Sequence, residues 1–217
     1  MRTLTVDRPQ TFGEEIANAL SHGLGSLLAV AALPLLVWRA SALGTAADVV
    51  AASVFAGSMI LLYGVSALYH AWPASRAKVW LARLDHAAIY VFIAGSYTPF
   101  TLGVLRGGWG WTLFGLVWAA AACGVAVKLL NRLKHPLVST GLYLAMGWMV
   151  VLAIAPLVAR LPAAGLAWLV AGGLSYTLGA VVFVFDHRLR YSHFVWHLFA
   201  LGGSTCHFFA ALWYAYG

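Results

Sequence analysis

Residues 47–71 read ADVVAASVFAGSMILLYGVSALYHA, and this stretch identifies the class of protein. Asp48 is its one acidic residue, and it contains no Lys or Arg. A transmembrane α-helix needs about 20 consecutive, mostly apolar residues, so this segment is long enough to cross a bilayer. It ends beside His70, an ionisable side chain, and ionisable groups inside membranes are usually functional.

The overall composition supports a membrane protein. Hydrophobic residues make up 63% of the 217-residue chain and charged residues 9%, whereas a soluble domain carries roughly 25% charged residues. The net charge of +7 comes from basic residues dispersed between apolar segments, so we do not expect nucleic-acid binding. Cys123 and Cys206 both lie in apolar segments, and no disulfide framework is predicted.

Six further segments share the features of residues 47–71. We predict an all-α integral membrane bundle of seven helices, formed as a single domain over residues 1–217. Residues 1–16 form a short polar segment that does not resemble a cleavable signal peptide. Short connections predict antiparallel packing of neighbouring helices. The predicted spans are 17–38, 47–71, 85–105, 110–130, 137–159, 163–185 and 194–216.

The distribution of Lys and Arg predicts the orientation of the bundle. Three basic residues, Arg39, Arg106 and Arg160, fall on the side opposite to the N-terminus. Because positive charge concentrates in cytoplasmic loops, we expect the N-terminus in the cytoplasm and the C-terminus outside. The ten basic residues on the N-terminal side are Arg2, Arg8, Arg76, Lys78, Arg83, Lys128, Arg132, Lys134, Arg188 and Arg190.

Three histidines are expected to meet at the cytoplasmic end of the bundle. His193 and His197 are spaced i, i+4 at the start of the last span, so they share one helix face. His70 ends the second span, which runs towards the same side. Three imidazoles with an open fourth position are typical of a catalytic zinc site, and neutral imidazole suits Zn²⁺. The alternative is a set of interfacial histidines bonded to lipid or loops.

Two residues are candidates for chemistry beside such an ion. Asp85 begins the third predicted span, where a carboxylate either caps the helix or accepts a proton as general base. Ser66 lies one turn before His70 on the same face. It either bonds its own helix backbone or contacts the substrate or oxyanion next to the metal.

Polar residues also line one face of the first span. Glu15, Asn18, Ser21 and His22 are followed by Gly25 at helical spacing. We favour interhelical hydrogen bonding for this face, with His22 in a supporting or relay role next to the histidines.

The ordered set of these motifs resembles the hemolysin III proteins. This family belongs with the progestin and adipoQ receptors and, more distantly, the alkaline ceramidases. The motifs are Glu15-x-x-Asn18-x-x-Ser21-His22-x-x-Gly25, Ser66-x-x-x-His70, Leu84-Asp85, Gly95-Ser96-Tyr97-Thr98-Pro99 and Ser192-His193-x-x-x-His197.

The resemblance implies a seven-helix bundle with zinc near the cytoplasmic face, bound by His70, His193 and His197. It implies that Asp85 holds the zinc-bound water and that Ser66 stands beside it. The short termini resemble the bacterial branch, so we expect the bacterial inner membrane, and membrane lipids as partners.

Three functions remain open from the sequence. The first is an intramembrane zinc hydrolase acting on lipid amides or fatty acyl esters, linked to membrane-lipid homeostasis. The second is a non-enzymatic regulator with structural zinc, and the third is a channel or cytolytic protein. A pore needs a continuous polar lining, and spans other than the first and last carry few polar residues.

Overall fold

The computed structural model describes residues 9–133 and 135–216, and in this part of the chain seven helices are long and apolar enough to cross a membrane. No strand is present among these residues, so the predicted all-α membrane fold is confirmed. Arg2, Arg8 and Lys134, which contribute to the predicted orientation, lie outside the described residues. The helices are α1 (Phe12–Leu43), α2 (Ala46–Ala71), α3 (Arg76–Val104), α4 (Gly108–Leu129), α5 (Pro136–Arg160), α6 (Ala163–Val184) and α7 (Ser192–Tyr214).

Two helices begin earlier than the apolar pattern predicts. Helix α1 begins at Phe12, where Thr11 caps it and Glu14 completes a capping box. Helix α3 begins at Arg76, where the Ser75 side chain accepts a hydrogen bond from the Lys78 backbone N–H. The interpretation of Asp85 as the N-cap of α3 is therefore wrong, because the helix already begins at Arg76. Apolar residues mark the part of a helix that meets lipid, whereas a helix itself extends into its polar ends.

The N-terminal and C-terminal helices pack against each other. Helix α1 contacts both α2 and α7, while α2 packs on α3, α3 on α4, and α6 on α7. A core of Leu36, Phe55, Met59 and Phe92 fills the space between α1, α2 and α3, and Ala211 of α7 closes it. This arrangement brings the end of α2 and the start of α7 onto the polar face of α1.

The Gly95–Pro99 motif has a structural role in the bundle. A π-helical segment, Phe100–Val104, follows Pro99, and α5 contains a 3₁₀ segment at Trp148–Ala153. The Tyr97 hydroxyl donates towards the Gly147 carbonyl oxygen at 2.5 Å and accepts from the Val150 N–H at 2.9 Å. Lipid offers no hydrogen bonds, so Tyr97 satisfies backbone groups that the irregular turn leaves free.

Buried polar contacts also stabilise the end of the bundle opposite to the three histidines. The buried Asp48 carboxylate accepts hydrogen bonds from the Thr45 N–H at 2.6 Å and from the Arg106 guanidinium at 2.7 Å. Beside it, Gly103 lies so close to α7 that an added Cβ would overlap the Ala215 carbonyl oxygen and lie 3.2 Å from Asp48 Oδ1. Small residues at such positions let membrane helices approach closely.

We expect Gly103→Ala to destabilise the bundle by about 1–3 kcal/mol, because the new methyl group meets backbone that cannot move aside. Gly57→Ala is the matched control, since nothing lies within 4 Å of its Cβ position. That substitution gains helix propensity of up to about 1 kcal/mol. Thermal unfolding of both variants in detergent measures the difference, and equal melting temperatures would contradict the close approach.

Candidate metal centre

His70, His193 and His197 come together in the structure as the sequence predicts. Each offers a ring nitrogen, and these atoms all lie within 4.8 Å of one another. His70 is the penultimate residue of α2, and His193 is the second residue of α7. His70 and His197 are buried, with exposures of 4% and 1%. Two helices far apart in sequence thus place three imidazoles at one end of the bundle.

Hydrogen bonds fix the Nδ1 atom of each ring. His70 Nδ1 lies 2.7 Å from the Glu15 carboxylate, and His193 Nδ1 lies 3.1 Å from the Asp186 carboxylate. His197 Nδ1 lies 3.1 Å from the Ser21 hydroxyl, whose own proton is donated to the Asn18 carbonyl oxygen. Each acceptor therefore assigns the proton to Nδ1 and leaves Nε2 with a free lone pair.

The three Nε2 atoms are suited to a metal ion. All three are buried, and none has a hydrogen-bond partner among the described residues. Unpaired buried nitrogens are costly, and a shared cation would satisfy them together. An outer acceptor on the other ring nitrogen is the usual support for metal-binding histidines. The donor set fits a divalent metal that favours imidazole, such as zinc, and three protein ligands are fewer than the four that zinc usually takes.

The two outer carboxylates are themselves held by other groups. Lys78 donates to Glu15 at 2.8 Å, so this carboxylate links a lysine of α3 to His70 of α2. Asp186 lies in the turn between α6 and α7, where the Gln10 side chain donates to it at 3.2 Å. Burial opposes ionisation of Asp186, but hydrogen bonds from His193 and its neighbours lower the pKa of this carboxyl below its ordinary value.

Ser66 and His22 form a pair beside the three histidines. The Ser66 hydroxyl lies 2.7 Å from His22 Nδ1. The His22 ring stacks on His197, with centroids 3.4 Å apart and planes inclined by 9°. A ring stacked in this way lies alongside its neighbour instead of converging on the same point. His22 thus packs against the ring of His197, and Ser66 forms a hydrogen bond with His22.

Asp85 lies outside the group formed by the three histidines. It is buried in α3, and its carboxylate lies 3.9 Å from Nδ1 of His86. Asn18 is also fully buried, and neither polar atom of its side chain has a partner among the described residues. The sequence proposed Asp85 and Ser66 for chemistry, and Glu15, Asn18 and His22 for support.

Sequence reasoning did not assign roles to Asp186 and Lys78 at the site, and it placed Ser21 on a face for interhelical hydrogen bonding without naming His197 as its partner. Asp186 precedes His193 by seven residues and lies between the sixth and seventh predicted spans. It reaches the ring because the turn folds back through Tyr191, which has a positive φ of 60° and whose N–H donates to Glu14 at 2.8 Å. An acidic residue shortly before the His-x-x-x-His pair was the one available signal.

Comparisons with known proteins agree with this architecture. The family model described as Haemolysin-III related matches residues 10–208. Hemolysin-3 of Bacillus cereus is 44% identical, covering 93% of this chain and 91% of the relative. The Hemolysin-3 homolog of Bacillus subtilis is 43% identical, covering 94% and 95%. The human Monocyte to macrophage differentiation factor is 30% identical, covering 77% and 71%. No solved structure matches the chain.

We expect purified protein to hold close to one zinc ion per chain and the His193→Ala, His197→Ala double variant to lose it, because one remaining imidazole cannot retain the ion. His135→Ala, His187→Ala is the control, since it removes two exposed histidines. Metal analysis by mass spectrometry provides the measurement. A folded wild type without metal, or a double variant that keeps its metal, would refute the site.

Asp186→Asn is expected to weaken zinc affinity by about 10–100-fold, because the amide orients the His193 ring less firmly than a carboxylate. Competition with a chromophoric chelator measures this affinity. Asp85→Asn makes the same chemical change at a carboxylate that forms no hydrogen bond with the three histidines in the described structure, and it should retain wild-type affinity. Equal losses in the two variants would contradict the role of Asp186.

Proposed function

This chain belongs to the haemolysin-III related family, and we propose that it is a membrane-embedded, zinc-dependent hydrolase of lipid amides or esters. The observation that carries the proposal is the set of three buried, unpaired Nε2 atoms with every Nδ1 atom fixed. Such a set offers an ion three protein ligands and leaves a position open, as catalytic zinc sites do.

Zinc would supply Lewis acidity, which activates water near neutral pH and polarises a carbonyl group. The residues of the chain supply the remaining steps. Asp85, buried in α3, would accept the proton of the attacking water as general base. It would then return this proton to the leaving amine or alcohol as the C–N or C–O bond breaks and the fatty acid is released. Ser66 would donate a hydrogen bond to the developing oxyanion, and His22 orients its hydroxyl. Glu15, Ser21 and Asp186 keep the three imidazoles in place.

The location of the site favours a lipid substrate. The histidines are buried at one end of apolar helices, and large apolar side chains such as Leu27, Leu28 and Val30 are exposed on the outside of α1. A substrate would reach this site from the bilayer. A lipid amide or a fatty acyl ester is therefore favoured over a water-soluble substrate. We place the site near the cytoplasmic face of the bacterial plasma membrane, because Lys and Arg concentrate at this end.

A structural role for the metal is the second candidate. The site connects α1, α2 and α7, because Glu15 and Ser21 of α1 hold rings from the other two helices. A metal that only joins helices would stabilise a regulator without catalysing a reaction. The name Hemolysin-3 of the Bacillus cereus relative suggests cytolysis as a further alternative. A cytolytic protein would produce conductance or lysis in reconstituted membranes.

We expect zinc-loaded protein to release fatty acid from an amide or ester lipid, and Asp85→Ala to lower kcat by about 10²–10⁴-fold with its zinc retained. Ser66→Ala should lower kcat as well. Ser58→Ala is its matched control, because Ser58 is a buried serine of α2 that donates to the Phe55 carbonyl oxygen of its own helix. Fatty-acid release by reconstituted protein is measured across a panel of amide and ester lipids.

The same variants separate the two roles of the metal. If Asp85→Ala matches wild type in every lipid and the loss of zinc lowers only the melting temperature, the metal is structural. Conductance in reconstituted bilayers without fatty-acid release would favour the cytolytic alternative instead.

A further inference from the structure

A basic cavity lies beside the metal centre and takes no part in the chemistry proposed above. It has a volume of about 540 Å³ and lies between the end of α2, the first turns of α3 and the end of α4. This volume is within the range of small-molecule sites, about 300–1,000 Å³. The polar residues that line it are Tyr69, Lys78, Arg83, His86, Lys128 and Asn131.

The cationic groups of this basic cavity exceed the carboxylates available to neutralise them. Lys128 donates to the Ser139 hydroxyl at 2.6 Å and to the Leu133 carbonyl oxygen at 3.3 Å, and both acceptors are neutral. Arg83 lies over the Trp80 ring at 4.7 Å. Neither residue has a carboxylate within ion-pair distance in the described part of the chain. Lys78 pairs with Glu15, but Glu15 also serves His70.

The surroundings of the basic cavity favour a lipid over a soluble anion. Val79 lines it and is 55% exposed, and Trp80 and Leu84 beside it are exposed on the same helix. Leu130, at the end of α4, is also exposed. Apolar side chains around a cluster of cations match a ligand with an anionic head and acyl chains. Tryptophan is typical of the depth at which headgroups lie.

We propose that the basic cavity binds the phosphate headgroup of an anionic phospholipid. Arg83 and Lys128 contact the phosphate, and the acyl chains follow the exposed apolar side chains of α3. Basic pockets between transmembrane helices are known to hold such headgroups. Lys78 lies on the wall between this cavity and the metal centre, because its ammonium also holds the Glu15 carboxylate that supports His70. Two side chains, Lys78 and Glu15, therefore lie between the bound lipid and the candidate metal ligand His70.

The test is the binding of phosphatidylglycerol and phosphatidylcholine to the full chain in neutral detergent, followed by native mass spectrometry. Arg83→Gln, Lys128→Gln removes two charges from the basic cavity and leaves Lys78 intact. Arg188→Gln, Arg190→Gln is the control, since it removes two exposed charges from the loop between α6 and α7, at the same end of the bundle. Thermal unfolding of each variant in the same detergent reports whether the bundle is folded.

Wild type should bind phosphatidylglycerol at least tenfold more tightly than phosphatidylcholine. The cavity variant should lose roughly 25-fold in phosphatidylglycerol affinity, at about fivefold for each of the two cations, while the control keeps most of it. If the cavity variant does not fold, Ala82→Glu places a carboxylate on the cavity wall without removing the Lys128 contacts, and the same loss is expected.

Three results would overturn the proposal. Equal losses in the cavity and control variants would mean a diffuse attraction of anionic lipid to the positive end of the bundle. Equal affinity of wild type for the two lipids would mean that no headgroup site exists. Displacement of phosphatidylglycerol by millimolar inorganic phosphate would identify a soluble anion as the ligand.

Discussion

One hydrogen bond on the Nδ1 atom of each histidine underlies the arrangement of this end of the bundle. A buried imidazole without partners is expensive in a medium that cannot hydrogen-bond, and three such rings next to one another would favour opening of the helices. Glu15, Ser21 and Asp186 each accept one hydrogen bond from an Nδ1–H group, which turns the Nε2 atoms of the three rings towards one another. The polar face of α1 supplies two of these acceptors, which is why α1 packs between α2 and α7.

The same requirement explains the polar groups at a distance from the metal centre. Tyr97 satisfies backbone groups at the 3₁₀ segment of α5, and Asp48 joins the start of α2 to Arg106 after α3. On α7, Ser204 shares hydrogen bonds with the hydroxyl groups of Tyr63 and Tyr176. Each contact leaves few polar groups facing hydrocarbon. Three buried nitrogens without a partner, the Nε2 atoms of His70, His193 and His197, nevertheless lie together, where one cation could bind them.

Lys78 connects the candidate metal centre with the basic cavity. Its ammonium faces the basic cavity on one side and the Glu15 carboxylate on the other. Because Glu15 holds the His70 ring, a change in what Lys78 contacts reaches a candidate metal ligand through two short hydrogen bonds. Lys78 is thus the residue that lines the basic cavity and also belongs to the hydrogen-bond network around His70.

The sequence by itself determined the seven spans and the three histidines. Apolar length is a local property, and the i, i+4 spacing of His193 and His197 fixes their common face whatever surrounds them. The alternating direction of the spans then brings His70 to the same end. The first residues of α1 and α3 were harder to predict from the sequence, because the capping residues Thr11 and Ser75 lie in polar sequence outside the apolar segments.

Only the tertiary structure decided which polar groups support those histidines. Glu15 meets His70 across 55 positions of the chain, and Ser21 meets His197 across 176. Asp186 reaches His193 through the fold of a single turn, and Ser66 is turned towards His22. Such contacts depend on how α1 rotates against α2 and α7, which is set by packing of the whole bundle. Periodicity along one helix identifies a polar face, but it does not specify the atom that each side chain meets.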